Sequence, residues 1–402
     1  MKRIILIVFL ILFAPNTFAQ EEIELDISEQ IKQDTILEED APFLESEVEA
    51  TKIPDLTHEK FFDRLTQNTK NLYKLQIDNI DVPSSLYKET FTHKFEKGPL
   101  ESVHIWNAVQ MNMGTTIPED GNVTNIFKVG LINNMIDGTF KGGKEHFRIM
   151  TDPTPQNDRQ FMQNLFQDLY IATDRIPHHR ILVGNSRPAV GYEGAQSSYT
   201  LPFINRSQIA RHFGTVRKAG VRVIGNYSFM DYDIGGYSSG TYFREFLPGV
   251  EFDGRVDFKP LAKTNGKYGK LTVSGTLAAG SRDSSFVVAG AYVGYEYKKL
   301  WVKAEYAHAN GSNGATGFSN KKRQGWNATV GYRINKKLEL LARYDEFDPD
   351  TTIGRNNQRE YTAGINWYIK GQALKLILNY IFCQNSSMPD SHRILIGTQI
   401  II

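Results

Sequence analysis

Residues Gly325 to Asp345 read GWNATVGYRINKKLELLARYD. Trp326, Ala328, Val330 and Tyr332 alternate with Asn327, Thr329, Gly331 and Arg333, and after the turn Asn335-Lys336-Lys337 the alternation resumes. There Leu338, Leu340, Ala342 and Tyr344 oppose Glu339, Leu341, Arg343 and Asp345. Successive side chains of a strand point to opposite faces, so a period of two with apolar residues on one side marks a sheet between two unlike environments. The reading of the fold turns on what those environments are.

Outward from this hairpin the same unit recurs. Alternating stretches are expected at 91–97, 103–113, 124–133, 143–151, 165–173, 178–186, 219–234, 249–259, 268–280 and 285–297, and again at 300–309, 325–334, 338–346, 358–369, 373–383 and 391–402, about sixteen in all. Lys298-Lys299, Asn335-Lys336-Lys337 and Lys370-Gly371-Gln372 read as tight turns, whereas 308–324, 346–358 and 384–390 read as longer polar loops. Short turns at one end, longer loops at the other and strands of about ten residues with one apolar face are the pattern of transmembrane barrels. Tyr295, Tyr297, Tyr306, Trp326, Tyr332, Tyr344, Tyr361, Trp367 and Tyr380 fall near strand ends, where aromatic girdles meet headgroups. Ile394, Ile396, Ile400 and Ile402 carry the apolar face to the last residue, as a closing strand would.

Composition agrees. Aromatic residues make up 12% of the 402, with 33 Gly and a single Cys, so no internal disulfide can form. Lys2 and Arg3, the apolar run Ile4 to Phe13 and Thr17-Phe18-Ala19 form a secretory signal peptide over residues 1–19. No later stretch is long and apolar enough for a membrane helix, and the other fold that spans a bilayer is a closed barrel. Residues 21 to 60 hold 14 acids against Lys32, Lys52 and Lys60, which suits a disordered acidic periplasmic linker over 20–60. Residues 61 to 402, the expected outer-membrane barrel, then carry +10.

With the apolar face on lipid, alternation sends Arg148, Arg180, Arg222, Lys303, Arg333, Arg343, Lys375 and Arg393 into the lumen, together with acids such as Glu305, Glu339 and Asp345. The stretch Ser186 to Ala219 does not alternate and is too long for an ordinary connection, so it is expected to fold inward as a constriction loop bearing Arg187, Arg206, Arg211 and Arg217. A narrow, basic, water-filled pore favours anions because its low-dielectric walls focus the field.

The run RILVGNSRPAVGYEGAQSSYTLPFINRS from Arg180, followed by RKAGVRV over 217–223, resembles the signature region of the phosphate-selective porin O and P family. Gly184, Arg187, Pro188, Gly191, Glu193, Ser197, Ser198, Arg206 and Gly220 carry the likeness, and Ile365 to Tyr368 and KLILNY at Lys375 to Tyr380 resemble the closing hairpin. The resemblance spans about residues 90 to 402. It implies a sixteen-stranded homotrimeric porin with an inward loop, passing small anions, phosphate or polyphosphate among them, along Arg and Lys side chains. The expected pathway is Arg148, Arg180, Arg187, Arg206, Arg211, Arg217, Arg222, Arg333 and Arg343.

The expected partners are small anions, outer-membrane lipid and further copies of the chain, with no nucleic acid, cofactor or metal. An enzyme is not expected: His178-His179 lacks nearby ligands, and Ser197 or Ser198 with His212 has nothing to fix a nucleophile and base. The other function open to such a chain is a structural or interaction barrel tethered through its acidic N-terminal block.

Overall fold

The computed structural model describes residues 92–154, 165–240, 245–264, 266–386 and 388–402. The signal peptide and the acidic linker expected at 1–60 lie outside them. Seventeen strands form one antiparallel sheet. The first, β1 (Thr92–Lys94), pairs with residues 102–104 at the start of the next. The other sixteen close into a barrel, every strand pairing with its neighbour in sequence and the last with β2.

The circuit begins with β2 (Leu100–Pro118), β3 (Thr124–Phe140), β4 (Glu145–Thr151), β5 (Phe166–Thr173), β6 (His179–Ser186) and β7 (Lys218–Asn226). They continue through β8 (Met230–Ser238), β9 (Val250–Phe258), β10 (Lys270–Ser281), β11 (Ser285–Tyr297) and β12 (Leu300–Gly314). The circuit ends with β13 (Gly317–Arg333), β14 (Leu338–Asp348), β15 (Gln358–Gln372), β16 (Leu374–Asn385) and β17 (Met388–Ile401). Among the described residues each of the sixteen wall strands pairs on both sides, the condition for placing a sheet in hydrocarbon.

The two faces follow the sequence pattern. On β13, Trp326, Val330 and Tyr332 are exposed on the outer wall while Asn327 and Thr329 are buried within. On β17, Ile394 and Ile396 face out and Gln399 is wholly buried.

The strand count matches expectation through two compensating differences. The stretch 91–97 supplies only the short β1 rather than a wall strand, so the final strand closes on β2. The stretch 219–234 is two strands with a turn at 227–229, because Asn226-Tyr227-Ser228-Phe229 breaks a run whose alternation otherwise continues. Two of the expected polar loops are also largely strand. Residues 308–324 form a hairpin with a turn at 315–316, and in 384–390 β16 runs to Asn385 and β17 starts at Met388. Polar side chains on both faces there extend the sheet beyond the apolar band instead of ending it. The wall is uneven: β4 has 7 residues and β5 and β6 have 8, against 15 in β12 and 17 in β13.

Candidate solute pathway

Between β6 and β7 the chain runs from Arg187 to Arg217 against the inward side chains of the wall. Gly184, in β6 just before it, has φ +136, and a Cβ there would meet the Leu169 carbonyl oxygen at 2.3 Å, so this position of the strand needs glycine. The segment then makes two short helices, α1 (Tyr192–Ala195) and α2 (Gln208–Phe213). They touch through Gly194 and Gly214, where a Cβ on Gly214 would lie 2.7 Å from the Gly194 Cα.

Its backbone is satisfied by the wall. The Tyr192 N–H donates to the Glu305 carboxylate at 2.6 Å, and the Gln208 N–H donates to Asp345 Oδ2 at 2.7 Å. In the stretch between, Gln399 donates to the Tyr199 carbonyl (3.1 Å), Lys375 Nζ to the Leu201 carbonyl (3.0 Å) and Asn366 to the Pro202 carbonyl (2.9 Å). The Ile204 N–H donates to Asn379 Oδ1 at 2.9 Å, and Arg343 donates to the Asn205 carbonyl at 3.1 Å. Irregular backbone at membrane depth is tolerated only when it finds such partners, which accounts for the buried Lys375, Asn366, Asn379 and Gln399 on the inner wall.

Two apolar contacts complete the seat. Ile209, Phe213 and Val190 pack with Phe347, Val288 and Ala309, while Tyr199 packs with Trp106, Met135 and Met150. The barrel thus has core inside its lumen.

Glu193 is the central tie. Its carboxylate pairs with Lys303 at 2.8 Å and with Arg343 at 3.6 Å, and accepts from the Ser207 N–H at 2.7 Å. Burial pushes this carboxyl up, but Lys303, Arg343 and the Ser207 amide outweigh burial and carry its pKa down to about 2.

Two open cavities flank the segment inside the barrel. One, of about 390 Å³, is lined by Arg148, Arg180, Arg187, Arg217, Arg222 and Arg255 among others. The second, of about 290 Å³, is lined by Tyr292, Trp301, Lys303, Arg333, Glu339 and Tyr368 among others. Tyr192, Gln196 and Thr200 line both, so the inward segment forms the partition where the two cavities approach each other. Tyr192 stacks on Tyr292 with ring centroids 3.5 Å apart, and the Arg255 guanidinium lies 5.1 Å from the Tyr192 ring centre. A larger hollow of about 670 Å³ lies on the outer wall around Ala304, Ala328, Ala342 and Ala363. It is a dent between lipid-facing tyrosines, and most of its lining is apolar.

The sequence-predicted arginines have defined partners. Arg148 is bidentate to Asp137 (2.6 and 3.0 Å) and Arg180 to Asp174 (2.7 and 2.5 Å). Arg222 is bidentate to Asp233 (2.7 and 2.5 Å), and Arg217 pairs with Asp168 at 2.9 Å. Arg211 pairs with Glu360 at 2.9 Å, and Arg333 with Glu296 at 2.8 Å. Arg343 serves Glu193 and the Asn205 carbonyl as described. Arg206 donates to the carbonyls of Glu193 and Gln196 and to Ser198 Oγ, which makes it a strut within the segment.

Arg187 differs. Among the described residues its guanidinium donates to the Gln196 carbonyl, its Nε is buried without a partner, and no carboxylate pairs with it. Burial, then the neighbouring Arg217 and Arg206 charges, hold its pKa well below the usual arginine range. Because a guanidinium does not deprotonate in proteins, such crowding is relieved by an anion rather than by loss of a proton.

Arg148, Arg180, Arg187, Arg217 and Arg222 therefore share one cavity, whereas Arg333 lines the other and Arg206, Arg211 and Arg343 hold the segment. Missed from sequence were the aspartates. Asp137 faces Arg148 directly across β3 and β4, but the strand expected at 124–133 ends before it and in fact runs to Phe140. Arg255, in phase with the inward Asp253 and Asp257, was legible from alternation alone.

Ser198 and His212 are not joined by a hydrogen bond among the described residues: Ser198 Oγ accepts from Arg206, and His212 stacks on Phe347 at 4.1 Å. No group of three or more His, Cys, Asp or Glu side chains able to hold a metal ion occurs among them.

Residues 264–389 match the model of the family described as phosphate-selective porin O and P. Among solved structures the fold is similar to an anion-selective porin from Comamonas acidovorans, at 11% identity and TM-score 0.54, covering 75% of this chain and 99% of that one. It is likewise similar to the outer membrane channel DcaP of Acinetobacter baumannii, at 10% identity and TM-score 0.55, covering 77% and 99%. Salmonella typhi OmpF in complex with daunomycin aligns at 12% identity and TM-score 0.55, covering 74% and 98%. A search of curated proteins gave no match. The barrel has the fold of these outer-membrane proteins, and the matched family is one of porins.

Proposed function

We propose that this chain is a passive outer-membrane channel preferring small anions, phosphate or polyphosphate among them. The observation that supports the reading best is Arg187: a cation facing the larger inner cavity, crowded by Arg217 and Arg206 and, among the described residues, with no carboxylate in ion-pair contact, Asp168 being held by Arg217. A guanidinium so placed offers paired donors to a carboxylate or phosphate oxygen. The paired arginines around it, Arg148, Arg180 and Arg222, supply a polarisable wall on which an anion makes several weak contacts in series and still leaves. Arg206, Arg211, Arg333 and Arg343 support the pathway from its margins by fixing the inward segment as the constriction.

The assembly is a homotrimer in this reading. Strands β4 to β6, of 7, 8 and 8 residues, are shorter than the 9–11 a tilted strand needs to cross a bilayer, so that side of the wall calls for shielding by neighbouring copies. Residues 1–19 serve export and 20–60 are a periplasmic tether.

Planar-bilayer reversal potentials in a potassium chloride gradient test the proposal, with phosphate competition of the chloride current to name the ion. Anion preference that falls on replacing Arg187 supports it. A cation-selective or non-conducting protein refutes it and leaves the structural barrel as the function.

A further inference from the structure

The end of the barrel at which the C-terminal strand finishes carries a collar of lysines that the lumen does not use. Its connections at 259–269, 298–299 and 334–337 contain no acid and hold seven lysines, of which Lys259 pairs with Asp231 and the other six are Lys263 and Lys267, Lys298 and Lys299, and Lys336 and Lys337. Among connections at the opposite end, 282–284 has Arg282 with Asp283, 349–357 has Arg355 with Asp350, and 119–123 has Glu119 and Asp120 with no base. All six lysines are exposed, and among the described residues none has a carboxylate partner.

Their position relative to the outer wall gives the collar its meaning. Tyr297, in the outward phase of β11, is 38% exposed and Tyr268, in the neighbouring connection, is 56% exposed. Lys298 Nζ lies 5.0 Å from the Tyr297 ring centre and Lys267 Nζ 5.2 Å from that of Tyr268. Tyr332 and Trp367 stand on the same outward belt. Aromatic side chains at strand ends mark the headgroup level, and lysine stems lie along apolar surface while the ammonium reaches the interface. These ammonium groups therefore sit among headgroups, not across the pore mouth.

We propose that the collar is a docking surface for anionic phospholipid headgroups, those of the leaflet on the short-turn, periplasmic side. An unpaired ammonium beside an exposed ring at that depth meets a phosphodiester at hydrogen-bond range, and several in a ring act on the same leaflet.

The test uses the full-length protein in phosphatidylcholine bilayers, with tryptophan quenching by brominated phosphatidylglycerol set against brominated phosphatidylcholine. Trp367 reports at the collar and Trp326 at the opposite belt. Preference for phosphatidylglycerol by about fivefold for each lysine a lipid engages is expected at low salt, declining as salt screens it. The variant Lys267→Gln, Lys298→Gln, Lys336→Gln, Lys337→Gln should abolish the preference, and Arg282→Gln at the other end should retain it. Equal binding of the two lipids, or a preference that survives the fourfold variant, overturns the proposal. So does a fourfold variant that alters chloride selectivity and leaves lipid preference intact, since the collar would then be a funnel for the pore.

Discussion

Replacing Glu193 by Gln isolates the tie that holds the inward segment. The native carboxylate is drawn from an ordinary 4.5 to about 2 because Lys303, Arg343 and the Ser207 N–H outweigh its burial. Arg206, bonded to the Glu193 carbonyl, and the Glu305 carboxylate beneath α1 complete its charged surroundings. At about 1.4 kcal/mol per pKa unit the depression contributes roughly 3 kcal/mol to keeping the segment docked. A depressed carboxylate stabilises above its undocked pKa, and the contribution is lost as pH falls through the docked value. The relevant window thus runs from about pH 4.5 to 2, and by pH 3 about 2 kcal/mol is gone, a roughly thirtyfold rise in local opening. Hydrogen exchange of residues 196–208 in nanodiscs, corrected for intrinsic pH dependence, reads this directly. Wild type should lose protection between pH 5 and 3, whereas Glu193→Gln should start less protected and change little over that interval. Flat protection in wild type, or a variant as protected as wild type at pH 6, would refute the reasoning.

Three further outcomes follow from the same geometry. Arg187→Gln should lower the anion-to-cation permeability ratio severalfold with the barrel intact, as read from reversal potentials and heat-modifiable mobility, because it removes a cation that makes no ion pair of its own among the described residues and shares the Asp168 charge with Arg217. Gly214→Val places a branched side chain where the Gly194 backbone passes, so docking of α1 on α2 should weaken by about 1–3 kcal/mol, measured by proteolysis of the segment. Ala363→Arg puts a charge on the outer wall between Tyr361 and Ile365 and should cost about 2–4 kcal/mol in denaturant titrations of lipid-folded protein. A lumen-facing change at the adjacent Thr362 should cost less.

The wall was legible because one physical constraint acts on every strand. Lipid outside and a polar interior force a period of two, and Trp326 against Asn327 or Ile394 against Gln399 obey it residue by residue. Strand ends were less legible. The sheet of β12 and β13 continues past the apolar band into solvent, where both faces are polar and the period vanishes while the ladder persists. The inward segment could be found as a stretch that breaks the pattern, but its fixing could not. The lysine, asparagine and glutamine that receive it, Lys375, Asn366, Asn379 and Gln399, lie on three strands far away in sequence, and only closure of the barrel brings them under residues 199 to 204.

Charge shows the same division between what a sequence states and what a fold does with it. The +10 of residues 61 to 402 suggested a broadly positive pore. Register lays Asp137 against Arg148, and side-chain reach brings Asp233 to Arg222 and Asp168 to Arg217, so much of the inner wall is alternating and locally neutral. A good part of the unpaired excess stands on the short-turn rim, in lysines that lean over outward tyrosines. A field made by a few uncompensated groups is steeper and more local than one spread over a ladder. Anion preference in this barrel should therefore depend on Arg187 far more than on any paired arginine. Removing Arg222 exposes the buried Asp233, which adds a negative charge to the cavity and perturbs the wall at once. Removing Arg187 breaks no ion pair among the described residues, and Asp168 keeps its bond to Arg217.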